Sequence, residues 1–452
     1  MLPMSLSWED TVKLLSRYSP EVANDICQNA ERPLYSYASE IFTPPDPLNL
    51  FNDAEVKLRT ALRQYLEQSP SCGIHEDEFE AIIDEFFLQR VVLTGPHLQL
   101  LFDPEPFYGL ILSALGASKS DRRYVFWHAN TTGRLNLANR IGPGWLTLED
   151  AKVNLFDLSV RQMNQLTPFG ATGRYKFRPK VDGVIPVNRY KGVLEDISNI
   201  SPQSIRGLFH AANDKVWNVC NKDLQKIVVL DDKLNSLLIS LYVQDRTSVL
   251  TGMLFEKGIL DLQLRLFQEA MLADTTKMLP FGTDFFWHNR GDRFIPMRLN
   301  SEQSHLVSAC GQSACAIAWN SNDIVTALQE NIIVPNVYLM MLTFSILPSV
   351  RANGGPRQII YMPVIHRIAR QVLRSLLGKD IPLDTQRLHG LGSDVIYPVP
   401  GLIPDVVASR DYNGITLYVE NLKRDSSSLV DHAKHLRTIR EYSAWHYMAR
   451  NQ

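Results

Sequence analysis

Cysteine is scarce in this chain, and no disulfide framework can be read from it. Five cysteines in 452 residues (Cys27, Cys72, Cys220, Cys310 and Cys315) are sparse and odd in number, which suits a reducing compartment. Cys310 and Cys315 lack a second Cys or His pair at ligand spacing, so zinc is not signalled and a structural role is the plainer reading. Excess charge is also missing. Forty-six basic against 48 acidic residues give −2, which excludes a chain-wide footprint for nucleic acid or an anionic membrane and leaves any anion site local. The longest strongly apolar stretch, Val337 to Leu347, is interrupted by Thr343 and Ser345 and falls short of the roughly 20 residues that cross a bilayer. The first ten residues include Trp8 and acidic side chains without a basic region leading into an apolar run. No secretion signal is read, and a cytoplasmic location is the expectation. Gly-x-x-x-x-Gly-Lys-Ser/Thr, Gly-x-Gly-x-x-Gly and Gly-x-Ser-x-Gly are all absent, so ATP, if it is used, is held unconventionally. Internal repeats and low-complexity tracts are absent too.

What is present reads as a folded protein. Apolar residues at 45% and charged residues at 21% lie near globular averages, and the length suits one large core or two to three domains at about 150 residues each. Residues 1–88 carry helical patterns at Trp8 to Tyr18, Glu55 to Leu66 and Glu76 to Phe87, separated by Pro33, Pro44-Pro45-Asp46-Pro47 and Ser69-Pro70-Ser71. From Arg90 the character changes. Short runs such as Val91-Val92-Leu93, Tyr124-Val125-Phe126 and Ile227-Val228-Val229-Leu230 alternate with helical stretches such as Pro106 to Leu115. These runs lack polar alternation, as strands do when helices cover both faces. The fold class expected is α/β: a Rossmann-like parallel sheet core over 89–400, the N-terminal helical segment 1–88, and a C-terminal α+β extension over 401–452. Within that extension, Ile415 to Val419 reads as a strand and Ser428 to Met448 as a helix. Phe285-Phe286-Trp287 and Phe294-Ile295-Pro296-Met297 predict a β-hairpin closed at Asn289-Arg290-Gly291-Asp292.

In a parallel sheet, ligands belong at the carboxyl ends of the strands, and that rule selects the candidate residues. Gly354-Gly355-Pro356-Arg357-Gln358 opens a helix whose apolar positions Tyr361, Ile365, Ile368, Val372 and Leu376 recur at helical spacing. Two glycines permit torsions closed to other residues, and the exposed N–H groups of a helix start can hold an anion. Arg357 can clamp a carboxylate or phosphate, with Gln358 and Tyr361 along the same first turns. Thr94, Gly95 and His97 follow one strand. An imidazole there titrates near neutrality, so His97 is a general base or a substrate-binding group, with a capping or packed histidine the plainer reading. His128, Asn130 and Thr131 end the next strand, with His128 the second catalytic candidate. Asp231 and Asp232 end a third, where Asp232 either orients an amine or hydroxyl or simply caps a helix. The densest basic run, Thr172 to Lys180, holds phosphate or RNA or is a solvated loop beside the sheet, the plainer choice in a chain that is not basic. His432 and His435 lie three apart on the last predicted helix without a further ligand at matching spacing.

Pro335-Asn336-Val337, Leu347-Pro348-Ser349 and Gly354-Gly355-Pro356-Arg357-Gln358-Ile359-Ile360-Tyr361 together resemble bacillithiol synthase, a family that adds cysteine to an amino-sugar acceptor. The resemblance extends back through Ile227-Val228-Val229-Leu230-Asp231, Asp284-Phe285-Phe286-Trp287 followed by Arg290-Gly291-Asp292-Arg293, Val91 to His97 and Val125-Phe126-Trp127. It covers roughly residues 89 to 365 in the family's order. The departures fall on polar residues. Gln358 stands where the family has Glu, Gly95-Pro96-His97 replaces Gly-Gln-Gln, His128-Ala129-Asn130-Thr131 replaces an acidic cluster, and the C-terminal coiled coil is missing.

That resemblance implies a carbon–nitrogen ligase of specialised metabolism. Such an enzyme condenses an amino acid, cysteine among the candidates, with an amine-bearing small molecule, the donor activated by ATP or delivered on a carrier. Bound substrate would lie among Thr94, Gly95, Asn130, Thr131, Asp232, Asn336, Gly354, Gly355, Arg357, Gln358 and Tyr361. The contrasting expectation is a non-catalytic small-molecule-binding or scaffold protein that keeps the fold.

Overall fold

A computed structural model of the chain describes residues 9, 12, 13, 16, 20–42, 51–68, 74–102, 104–137, 140–148, 151–182, 187–219, 221, 223–274, 279–291, 293–309, 315–354, 356–380, 389–390 and 414–427. Its strands are β1 (Val91–His97), β2 (Tyr124–Asn130), β3 (Trp145–Leu148), β4 (Ala151–Asn154), β5 (Lys180–Asp182), β6 (Lys226–Asp231), β7 (Phe286–Asn289), β8 (Phe294–Leu299), β9 (His305–Ser308), β10 (Ala316–Ala318), β11 (Ile333–Pro335), β12 (Arg351–Asn353) and the two-residue β13 (His389–Gly390). Strands β12, β1, β2 and β6 form a parallel sheet in that order, with β13 continuing the edge beyond β12. The other two sheets are antiparallel: β10-β9-β8-β7-β11 and β3-β4-β5. The chain is therefore mixed α/β.

The unbroken apolar strands follow from burial on both faces. Val91, Leu93, Val125, Trp127, Ile227 and Val229 pack into one core cluster, while Val92, Tyr124, Phe126, Val228, Leu230 and Ala352 pack into the other. On the first face lie the helices Leu34–Ile41, Pro104–Lys119, Ile205–Asp214 and Gly414–Arg424; on the second lie Asn52–Gln68, Phe79–Gln89 and Asp232–Gln244. The helices of residues 1–88 thus contribute to both layers. A π-helical turn at Met341–Ile346, buried throughout, packs on the second face and accounts for the apolar run of the sequence.

The strand order fixes where the connections reverse. From β1 the chain moves to β2 and then β6 on one side, whereas β12 and β13 lie on the other, so connections diverge at the β1–β12 boundary. Open sheets place ligands at the carboxyl ends beside such a reversal.

Three expectations need correction. Ile415 to Val419 is not a strand. It lies in the Gly414–Arg424 helix, where Ile415, Tyr418, Val419 and Leu422 recur at three- and four-residue spacing and bury themselves in the first core cluster. Packing has overridden the β-branched composition. Thr94 to His97 is not a turn after a strand but the end of β1 itself, which pairs through a register irregularity between Thr94 and His97. Gly354 does not adopt a left-handed backbone; it is needed for close approach. A Cβ there would lie 2.0 Å from Cδ and 2.2 Å from Nε2 of Gln358, whose carboxamide folds over the glycine. The predicted hairpin is formed by β7 and β8, with Gly291 at φ +81°. The Ser428 to Met448 helix, most of the Gly390 to Pro404 segment and Gly355 lie outside the described residues.

Gly354→Ala should consequently displace the buried Gln358 side chain and break its hydrogen bond to Thr94. A loss of about 1–3 kcal/mol in denaturant unfolding is expected, the usual cost of overpacking. Unchanged stability would show that the contact is not tight.

Candidate functional site at the carboxyl edge of the parallel sheet

Three strand ends and one helix start converge on this edge. At β1, the Gln358 Nε2 donates to Thr94 Oγ1 at 2.5 Å, and Thr94 Oγ1 donates in turn to the Asn353 carbonyl at 3.3 Å. This ties β1, β12 and the first turn of the Pro356–Leu377 helix together. Proline at its first position suits a place where an N–H would have no partner inside the helix. Arg357 stands in that first turn, and Tyr361 lies half-buried one turn further on. His97 is half-buried and pairs in register with Asn130. Its ring lies so close to Gly133 that an added Cβ would sit 2.3 Å from Nδ1.

His128, Asn130, Thr131 and Asp232 form the next part of the edge, and most of their polar capacity is used internally. Asn130 Oδ1 accepts from the backbone N–H groups of Thr132 and Gly133 at 3.0 and 2.9 Å, shaping the turn after β2. Asp232 Oδ2 accepts from the Thr131 N–H at 2.6 Å and hydroxyl at 2.7 Å, while Asn235 Nδ2 donates to Asp232 Oδ1 at 3.3 Å. Asn235 Oδ1 is then left to accept from His128 Nε2 at 3.1 Å, which fixes the proton on that ring nitrogen. The His128 ring also packs at a tilt against Phe344 of the π-helical turn, 5.1 Å between ring centres. Burial raises the Asp232 carboxyl above its ordinary value, against the opposing influence of His128 and the Thr131 hydrogen bonds.

A second cluster, which reading the sequence missed, closes the end of β6. Asp231, with 0% exposure, receives Arg206 Nε, His210 Nε2 at 3.1 Å and the Lys233 N–H at 3.0 Å. Arg206 also donates to Tyr65 Oη at 3.1 Å, and Tyr65 donates to the Val229 carbonyl at 3.2 Å. Burial alone would raise the Asp231 carboxyl, but Arg206 and His210 together hold it well below the usual carboxylate range. Burial pushes the His210 imidazole below its ordinary 6.5, and Arg206 adds to that shift. Arg206 and His210 stand four apart on one helix face. That spacing was the available signal.

Asn336 is not brought to this edge. It follows β11 of the antiparallel sheet and caps the next helix, accepting from the Leu339 N–H at 3.0 Å. Part of the basic run is held in place: Arg174 donates to the Pro202 carbonyl, Phe177 is buried and Lys180 pairs with Asp157. Among the described residues no group of three or more His, Cys, Asp or Glu side chains could hold a metal, and no helix is long and apolar enough to cross a membrane. Cys315 is half-buried, with its thiol pushed up by burial; His432 and His435 lie outside the described residues.

Comparison of the chain with protein-family models, curated proteins and solved structures finds no match.

The Asp231 cluster yields a signed pH dependence. Asp231, depressed in the fold, contributes stability present above its ordinary 3.8 and lost as pH falls below that value, whereas the neutral His210 loses stability as pH falls through 6.5. Arg206→Leu strands a buried carboxylate and should cost about 3–5 kcal/mol at pH 7. Because the stranded carboxyl is then relieved by protonation, the deficit should shrink when unfolding is measured at pH 5. A deficit independent of pH would show that the ion pair is not its source.

Proposed function

We propose that the chain is a bacillithiol-synthase-like ligase of specialised metabolism, built on a Rossmann-like core, that condenses an amino acid with an amine-bearing small molecule. The observation that carries this reading is the convergence at the carboxyl edge of β1, where half-buried His97 lies beside Asn130 and within a few residues of the Gln358–Thr94 link to a helix start. The order of the family-like sequence pieces supports it. Cysteine is one candidate donor, and a cytoplasmic location accords with it.

In this scheme the donor carboxyl is activated as an adenylate, phosphate or carrier ester, and lies at the start of the Pro356–Leu377 helix. There, backbone N–H groups and Arg357 stabilise the developing oxyanion. The acceptor amine attacks the acyl carbon; the new C–N bond forms, the C–O bond to the leaving group breaks, and His97 takes the amine proton. His97 suits this role better than His128, which is 2% exposed and already commits Nε2 to Asn235, leaving only Nδ1 as a base. Holding two substrates side by side supplies the rest of the acceleration.

One observation favours the second reading, a non-catalytic binding or scaffold protein. His128, Thr131 and Asp232 are all buried and bonded through one another and Asn235, so three of the candidate site residues serve the fold. Purified protein incubated with ATP, pooled amino acids and amine or amino-sugar acceptors should yield a condensed product detectable by mass spectrometry. His97→Gln should lower turnover about 100-fold or more with the fold retained. Absence of product with free donors and with carrier-bound donors selects the binding reading.

A further inference from the structure

Charge of one sign runs along the outer face of the Pro356–Leu377 helix. No aspartate or glutamate stands between Glu330 and Asp380, a stretch that carries Arg351, Arg357, Arg367, Arg370, Arg374 and Lys379. Arg367, Arg370 and Arg374 are exposed, whereas Ile365, Ile368, Ala369, Val372 and Leu373 fill the second core cluster and fix which side of the helix turns outward. At 3.6 residues per turn, the three arginines fall within about 60° of one another around the axis and within about 10 Å along it. Gln371 and Ser375 are exposed beside them, and Lys379 is exposed just past the helix end.

Two ordinary reasons for such a stripe do not account for it. Cations complement the helix dipole at a C-terminus, but that effect fades beyond the last turn. Arg374 lies in the last turn; Arg367 and Arg370 do not. The other reason is pairing within the fold. The Phe79–Gln89 helix also carries charge of one sign, and there each charge is answered from another element: Glu80 by Arg63, Asp84 by Arg59 at 2.9 Å and Glu85 by Arg123 at 3.4 Å. Arg367 and Arg374 have no side-chain ion pair or hydrogen bond among the described residues, and Arg370 has an interaction of its own yet stays exposed.

A guanidinium pairs best with a planar anion that accepts two hydrogen bonds, as a carboxylate does. The spacing i, i+3, i+7 is also that of side chains along one face of a facing helix. Nucleic acid fits less well. No Phe, Tyr or Trp stands between Tyr361 and Lys379 to stack a base, and the chain as a whole is at −2. We propose that Arg367, Arg370 and Arg374 form a docking stripe for an acidic helix of a partner protein, one that presents carboxylates along a single face. The stripe takes no part in the condensation and stands whether or not that reaction proceeds.

The probe is a designed coiled-coil peptide with glutamates at i, i+3 and i+7 on its exposed face, its binding to the full chain followed by fluorescence anisotropy at low salt. A coil of the same composition with the glutamates scattered around the helix, and a single-stranded RNA of mixed sequence, are the competing ligands. The patterned coil should bind about tenfold or more tightly than either and weaken as salt rises. Combining Arg367→Gln, Arg370→Gln and Arg374→Gln should weaken it about tenfold or more, the loss of three exposed pairs, while the melting temperature is unchanged. Lysine at the same three positions keeps the charge without the planar fork and should give intermediate binding. No binding of the patterned coil, equal binding of the scattered coil, tighter binding of RNA, or undiminished binding by the glutamine variant would each overturn the proposal. The comparison of ligands uses the unaltered chain, so it does not depend on how the variants fold.

Discussion

Burial of the parallel sheet on both faces is the constraint on which the rest depends. Residues in the middle of β1, β2 and β6 have no route to water, so they are apolar on each side, and polar chemistry is confined to the strand ends. At those ends each buried polar group must find a partner within the protein or go without. Most of the candidate edge follows from that requirement. Asp232 meets Thr131 and Asn235, His128 meets Asn235, and Asp231 meets Arg206 and His210. Among the described residues, the Asn353 carboxamide and the Trp127 indole N–H are exceptions without such a partner.

The two aspartates at the junction of β6 and the Asp232–Gln244 helix show how context divides identical side chains. Asp231 is held ionised by a guanidinium and an imidazole, while Asp232, next in sequence, has neutral donors around it and is raised by burial. Paired carboxyls whose environments push them apart often mark acid and base roles in enzymes. Here the same separation follows from structural needs alone: one carboxylate anchors the Ile205–Asp214 helix to the sheet, and the other caps the turn after β2.

The strands of the parallel sheet were legible because two-sided burial writes them as continuous apolar runs, and Pro356 correctly marked the start of a long helix. Their exact ends were not, since β1 continues through glycine and proline by way of an irregular register that local composition does not reveal. Ile415, Thr416 and Val419 suggested a strand, whereas burial of Ile415, Val419 and Leu422 on a helix surface decided otherwise. The edge itself was placed by the strand-end rule, but its wiring was hidden: Asn235, Arg206 and His210 sit on helices well separated from the strands they serve. Asn353 carries no signal of its own in the sequence, and only register across β12, β1 and β2 places it in one row with Trp127.

The central claim is that ligand enters at the carboxyl edge of β12-β1-β2-β6. Hydrogen–deuterium exchange of the full chain, with and without a mixture of ATP, pooled amino acids and amine acceptors, measures this most directly. The account predicts ligand-dependent protection concentrated in residues 93–98, 127–133 and 351–361. Protection confined to the antiparallel strands β7 to β11, with these segments unchanged, would contradict it.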